Sequence, residues 1–306
     1  MHELATLLPY GAAARHEVTL ASSASSVARW TANGDLVQLH PGIVILPAHL
    51  ADAATRARAA ALWAKGPVSH ISALRLWGVL DQSAEPVHVT VPADRFPRNA
   101  AGVVVHRTTL RLPVAAVDAI PVTPLSQSLV DAWDWSHRIR RGEANGGGPT
   151  VRQAVIECVR SRRTGVSEIR ARSASRQVHA GRAELVGLLD LLAGGCESEL
   201  EIWGVTQVLP GPPDLPRWVQ QHEIRLDDGR RVRLDAAYLE ARVAVELDGA
   251  AFHGSRAARE RDLRRDTALA ALGWVVLRFS YARLMADPAG CRREIEAVVR
   301  RRLASR

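Results

Sequence analysis

The 306-residue chain is long enough for two or three compact units, each with a core of its own. Its three cysteines, Cys158, Cys196 and Cys291, lie far apart and never as a CxxC pair, which excludes a disulfide framework and a zinc knuckle and predicts a reducing, cytoplasmic setting. Formal charge is +8, and residues 251–306 alone carry 13 arginines against 6 acids, the composition of a surface that meets phosphates or of a solvated face in an arginine-biased sequence whose only lysine is Lys65.

The opening MHELATLLPYGAAARHE lacks a basic head followed by an apolar core. No later stretch reaches the roughly 18 uninterrupted apolar residues of a membrane span, so none is expected. Residues 1–50 are expected to form a small winged helix. A Ser-rich turn leads into a helix around Ala24 to Ala32, Asn33-Gly34 stops it, and LVQL and GIVIL flank His40-Pro41-Gly42 as a hairpin wing. Such a helix can enter a major groove, with Ser25, Ser26 and Arg29 as outward contacts, although short units of this kind also serve protein–protein contact.

Residues 51–140 have the pattern of a mixed α+β middle domain: a helix at AATRARAAALWA, then SHISALRLWGVL, extended runs at VHVTVP and GVVVHR, and a closing helix after AIPVTPLSQ. Trp63, Trp77, Trp133 and Trp135 are expected in packing roles. His70, His88 and His106 have no helical or strand spacing that suggests a metal, and structural roles are expected for them too. Residues 141–195 form a linker and helical connector that starts with the Gly-rich RGEANGGGPT and ends at Gly194-Gly195.

Residues 196–306 carry the chemistry. A helix beginning near Ser198 and broken by Pro210 to Pro216 precedes two strands around Asp227-Asp228-Gly229. The strand ARVAVELDG follows, then a helix from about Ser255 to Leu272 ended by Gly273, the strand WVVLRFS, and a basic helix from about Pro288 to Leu303. The order is α-β-β-β-α-β-α.

Asp235 falls on the second of these strands and Glu246 on the third, at the separation of a tight reversal, while Asp248 shares a face with Glu246. Three converging acids repel unless a cation neutralises them, and hard oxygen ligands suit Mg²⁺ or Mn²⁺, which can activate water against a phosphodiester. Glu201 on the preceding helix could add a ligand or support one. His253, beyond Gly249, could act as general base or hold the water. Arg256, Arg259, Arg261, Arg264 and Arg265 start the next helix, close enough to grip phosphates. The structural alternative makes Asp235 a turn cap and pairs Glu246 and Asp248 with Arg233 or Arg265.

SELE with Glu201, RLDAAY with Asp235, VAVELDGAAFH, RDLRRD with Asp262 and Arg265, and GWVVLRFSYARL with Arg278 together resemble a bacterial family related to the very short patch repair (Vsr) endonucleases of the PD-(D/E)xK superfamily. The resemblance implies a restriction-endonuclease-like domain in which Asp235 is the central metal aspartate, Glu246 and Asp248 form the second acidic motif, His253 is the repair enzymes' histidine, and Arg278 joins the DNA-contacting arginines. The superfamily's usual lysine would fall at Asp248, so His253 or an arginine has to assume its part. Residues 1–135 resemble AbiEi-type antitoxin-like proteins through SHISALRLWGVL, VHVTVPADRFP, VVVHR and IPVTPLSQSLVD, which implies a DNA-binding winged helix and a toxin or defence-system partner.

Two functions follow as expectations. One is a metal-dependent DNA endonuclease in repair or phage defence. The other is a non-catalytic, antitoxin-like DNA-binding regulator whose nuclease fold is vestigial.

Overall fold

A computed structural model describes residues 2–81, 86–97, 100–138, 148–176, 179–248 and 256–305. The chain divides into two units, Met1–Val186 and Gly187–Arg306.

The first unit begins with helix α1 (His2–Leu7), strand β1 (Ala12–Ala14), helices α2 (Arg15–Ala21) and α3 (Ala24–Ala32), and strands β2 (Val37–His40) and β3 (Ile43–Ile45). Local chemistry sets α3. The Ser23 hydroxyl accepts the Ser26 N–H at 3.0 Å, which satisfies one of the amides that a helix start leaves without a partner. Beyond its end, Gly34 takes φ +78°, a conformation open to glycine at little cost. Val27 and Trp30 bury the inner face of α3 against Leu4, Leu8, Val18, Leu36 and Val44. The three strands pair antiparallel in the order β1-β3-β2.

Helix α4 (Ala53–Ala64) is capped by Asp52, which accepts the Thr55 N–H, and ends at Lys65 in the left-handed region. Then come α5 (His70–Leu76), β4 (Val87–Pro92), β5 (Val103–Thr108), the hairpin of β6 (Ala115–Val117) and β7 (Ile120–Val122), and α6 (Leu125–His137). Strands β4 and β5 run parallel. Strand alternation sends Val87, Val89 and Val91 into a core shared with Ala57, Ala60, Ala61 and Ala64 of α4, and turns His88 and Thr90 to the opposite face. Helices α7 (Gly148–Arg160) and α8 (Val166–Ala174) follow, then α9 (Arg182–Ala193), within which the division between units falls. Residues 139–147, most of the expected linker, lie outside the described residues.

The second unit contains α10 (Glu199–Gln207), β8 (Val219–Arg225), β9 (Arg231–Tyr238), β10 (Val243–Asp248), α11 (Arg256–Ala271), β11 (Val275–Ser280), α12 (Tyr281–Ala286) and α13 (Pro288–Ala304). Its sheet has the order β11-β10-β9-β8; β8, β9 and β10 pair antiparallel, and β11 joins β10 in parallel after α11. One face buries Tyr238, Val243, Val245, Leu247 and Phe279 with Leu200 of α10 and Ile295 and Val299 of α13. The other packs Leu234, Ala237 and Ala244 against Leu269 of α11. The expected order is present with one addition, α12. The Ser280 hydroxyl caps that short helix, and Asp287, followed by Pro288, caps α13 and keeps the two separate. Among the described residues no helix is long and apolar enough to cross a membrane.

Candidate active site

Register brings Asp235 and Glu246 together. Pairing of Tyr238, Ala237 and Ala236 with Val243, Ala244 and Val245 places Asp235 opposite Glu246 where the ladder stops. There the Asp235 side chain replaces the ladder bond, its Oδ2 accepting the Leu247 N–H at 3.0 Å. On the other edge of β10, Glu246 is the register partner of Arg278 on β11.

Two guanidiniums hold Glu246. Arg265 Nη1 donates to Glu246 Oε2 at 2.9 Å, and Arg278 Nε donates to the same oxygen at 3.1 Å. Arg265 Nη2 lies against Oε1, which is buried and receives no aligned hydrogen bond. Arg265 is fixed further by donation to the Arg233 carbonyl at 3.0 Å, and Arg278 by donation to Asp266 Oδ1 at 2.7 Å. Asp235, Glu246, Leu247, Asp262, Arg265 and Arg278 line a cleft of about 270 Å³.

Electrostatics follow from this burial. Loss of water raises the pKa of Glu246, and the charge of Arg265 is the largest opposing influence. Asp235 is also raised, first by burial; the Leu247 N–H opposes this and the charge of Glu201 adds to it. Two confined carboxylates whose pKa values burial raises, one with an oxygen that receives no aligned hydrogen bond, form a donor set that fits a hard divalent cation, which would offset both burial and mutual repulsion.

The remaining expected residues fall in different places. Asp248 ends β10 opposite Ser280, but its side chain lies outside the described residues, as do Gly249 and His253 entirely. Glu201 is occupied at the start of α10: its N–H donates to the capping Ser198 Oγ at 3.2 Å, its Oε1 accepts from Ser198 Oγ at 2.9 Å, and its Oε2 accepts from the Glu197 N–H at 3.0 Å and Gln221 Nε2 at 3.1 Å. It reaches Asp235 through charge. Arg233, offered by the structural alternative as a partner of Glu246, instead pairs with Glu197.

Arg261 and Arg264 are exposed on α11, Arg264 beside Glu260, while the side chains of Arg256 and Arg259 lie outside the described residues. Arg265 and Arg278, read from sequence as phosphate contacts, turn onto Glu246, the Arg265 pairing being one that the structural alternative named, because a buried carboxylate needs compensation more than an exposed phosphate contact does. In the first unit, Ser25 and Ser26 hydrogen-bond to the capping Ser23, Ser25 and Arg29 are exposed, and Ser26 is half-buried.

Sequence reasoning gave Asp262 and Asp266 no place in the site. Their signal is helical spacing: Asp262, Arg265 and Asp266 stand at i, i+3 and i+4, so α11 presents all three on one face. It also kept His70, His88 and His106 apart. Strand pairing and α5 gather them into one cluster, the single group of three potential metal-binding side chains among the described residues whose ligand atoms lie within 4.8 Å of one another.

The fold and cleft define the second unit as a mixed α/β domain with paired acids at adjacent strand positions. Residues 222–299, less than half of the chain, match the model of the family REase_MTES_1575, a restriction-endonuclease family. The match runs from β8 into α13, includes the whole cleft, and identifies a restriction-endonuclease-like domain. Helix α10 and Glu201 precede it. None of the curated proteins compared matches the chain.

Proposed function

We propose that the second unit is a divalent-metal-dependent endonuclease acting on DNA. The observation that carries this reading is the meeting of Asp235 and Glu246 in a cleft inside the stretch that matches a restriction-endonuclease family. Asp235, Glu246 and Asp248 would hold Mg²⁺ or Mn²⁺, which supplies charge neutralisation at the phosphate and acidifies a water. The Leu247 N–H orients the Asp235 carboxylate, and Arg265 and Arg278 oppose the upward pull of burial on the Glu246 carboxyl. Arg261 and Arg264, exposed on α11, would contact the phosphates together with Arg256 and Arg259, and His253 would act on the proton of the attacking water. In the first unit, α3 supplies DNA contacts through Ser25, Ser26 and Arg29. The resemblances to Vsr endonucleases and AbiEi-type proteins support a repair or defence setting, with a toxin or other defence-system protein as partner.

Plasmid nicking with Mg²⁺ or Mn²⁺ tests the proposal. Asp235→Asn and Glu246→Gln should each lower the rate at least about 100-fold, since loss of an outer partner to a ligand already costs 10- to 100-fold in comparable sites. Calorimetric binding of Mn²⁺ should vanish in Asp235→Asn. Undiminished cutting by both variants would refute the assignment.

The closed pairing of Glu246 with Arg265 and Arg278 favours a second reading, because it compensates the acid without a metal ion. On that reading the chain is a DNA-binding regulator with a vestigial site. It binds DNA equally well as Asp235→Asn and does not cut whichever divalent ion is supplied.

A further inference from the structure

His70, His88 and His106 come from three elements of the first unit. His88 and Thr90 share a face of β4, and Thr90 is the register partner of His106 on β5, so the parallel pairing sets the two imidazoles on neighbouring diagonal positions. His70, the first residue of α5, stacks on His106 with ring centroids 3.6 Å apart. Its backbone has φ +54°, an arrangement that costs a non-glycine residue about 1–3 kcal/mol and persists only where the surroundings enforce it. His70 and His88 are buried, and Trp135 of α6 meets all three rings edge-on.

We propose that these three side chains bind a transition-metal dication of the Zn²⁺ class, which ties the start of α5 to the β4–β5 pair. His88 Nδ1 and His106 Nε2 stand 2.9 Å apart. Two nitrogens on a tetrahedral ion with bonds of about 2.0–2.1 Å lie about 3.4 Å apart, so a small outward adjustment admits the ion between His88 and His106, and the stacked His70 ring has to rotate out of parallel to join them. His70 Nδ1 is 2.8 Å from Ser69 Oγ, which itself accepts from Thr90 Oγ1 at 2.7 Å. That contact sets the ring and directs Nε2 away from the serine, as outer partners of metal-bound histidines do.

Burial and the neighbouring imidazoles hold His70 well below the usual histidine range. Arg138 and Arg176, whose charges reach His70, are paired with the buried Asp131 and Asp134. Imidazole-only donors select Zn²⁺, Ni²⁺ or Co²⁺ over Mg²⁺ or Ca²⁺. This site therefore differs in chemistry from the acid cleft.

The test uses the full chain carrying Asp235→Asn and Glu246→Gln, so that no ion at the acid cleft is counted. Metal analysis after growth with zinc should find one Zn²⁺ per chain, and titration of the stripped protein with Co²⁺ should give the visible bands of a histidine-bound ion. His88→Gln and His106→Gln should remove both signals. Ser69→Ala should keep the bands and weaken binding about 10-fold. If a histidine variant does not fold, the parent protein still decides: absence of zinc and of cobalt bands shows a hydrogen-bonded ring stack without metal and overturns the proposal. Bands that persist unchanged in folded histidine variants do so as well.

Discussion

Glu246 is 8% exposed and depends on Arg265 and Arg278 for its charge. Breaking a buried ion pair from one side is costly because it leaves the other charge without compensation. Arg278→Ala, with Arg265 still present, should therefore destabilise the chain by up to about 3 kcal/mol in urea denaturation. Adding Glu246→Gln should recover most of that loss, since the charge that needed a partner is gone. Additive costs in the double variant would mean that Arg278 acts through packing alone. The same dependence explains why two arginines that sequence assigns to DNA are occupied within the protein.

Helix α10 seats on β10 at Gly204. A Cβ built there would lie 2.3 Å from Leu247 Cδ1, so any larger residue would force the Leu247 side chain to move. Leu247 lies between Glu246 and Asp248 in sequence and points into the core on the opposite face, which couples the helix seat to the position of the acids. Gly204→Ala should cost about 1–3 kcal/mol through overpacking, even though alanine is the better helix former. Combining it with Leu247→Val should cost less than the two changes separately, as read by thermal denaturation. Strict additivity would argue against that contact.

The charge excess of residues 251–306 overstates the surface available to phosphates. Arg283 and Arg300 pair with Glu294 and Asp214, while Arg292 and Arg302 donate to backbone carbonyls. Arg261 and Arg264 remain exposed on α11, and DNA affinity should fall steeply with salt through contacts of this kind. Replacing either with alanine should lower the slope of log K against log salt by about one, measured by fluorescence anisotropy across salt concentrations. An unchanged slope in both variants would move the phosphate contacts to another face.

Local pattern alone determined much of this protein. Ser23 and Asn33-Gly34 bound α3, Asp227-Asp228-Gly229 turns β8 into β9, and Gly273 ends α11, because caps and turns are decided within a few residues. The acids of VAVELDG stood out because charge in an apolar strand needs a reason, and alternation alone placed Glu246 and Asp248 on one face. Register and partner choice are non-local. The meeting of Asp235 with Glu246 was legible from the strand spacing, but only the tertiary structure chooses Arg265 and Arg278 together as the partners of Glu246, adds Asp262 to the cleft, and gathers His70, His88 and His106 from three elements that no sequence spacing connects. A buried charge or ring takes the partner that folding brings within a few ångströms, and that distance is fixed by strand pairing rather than by separation along the chain.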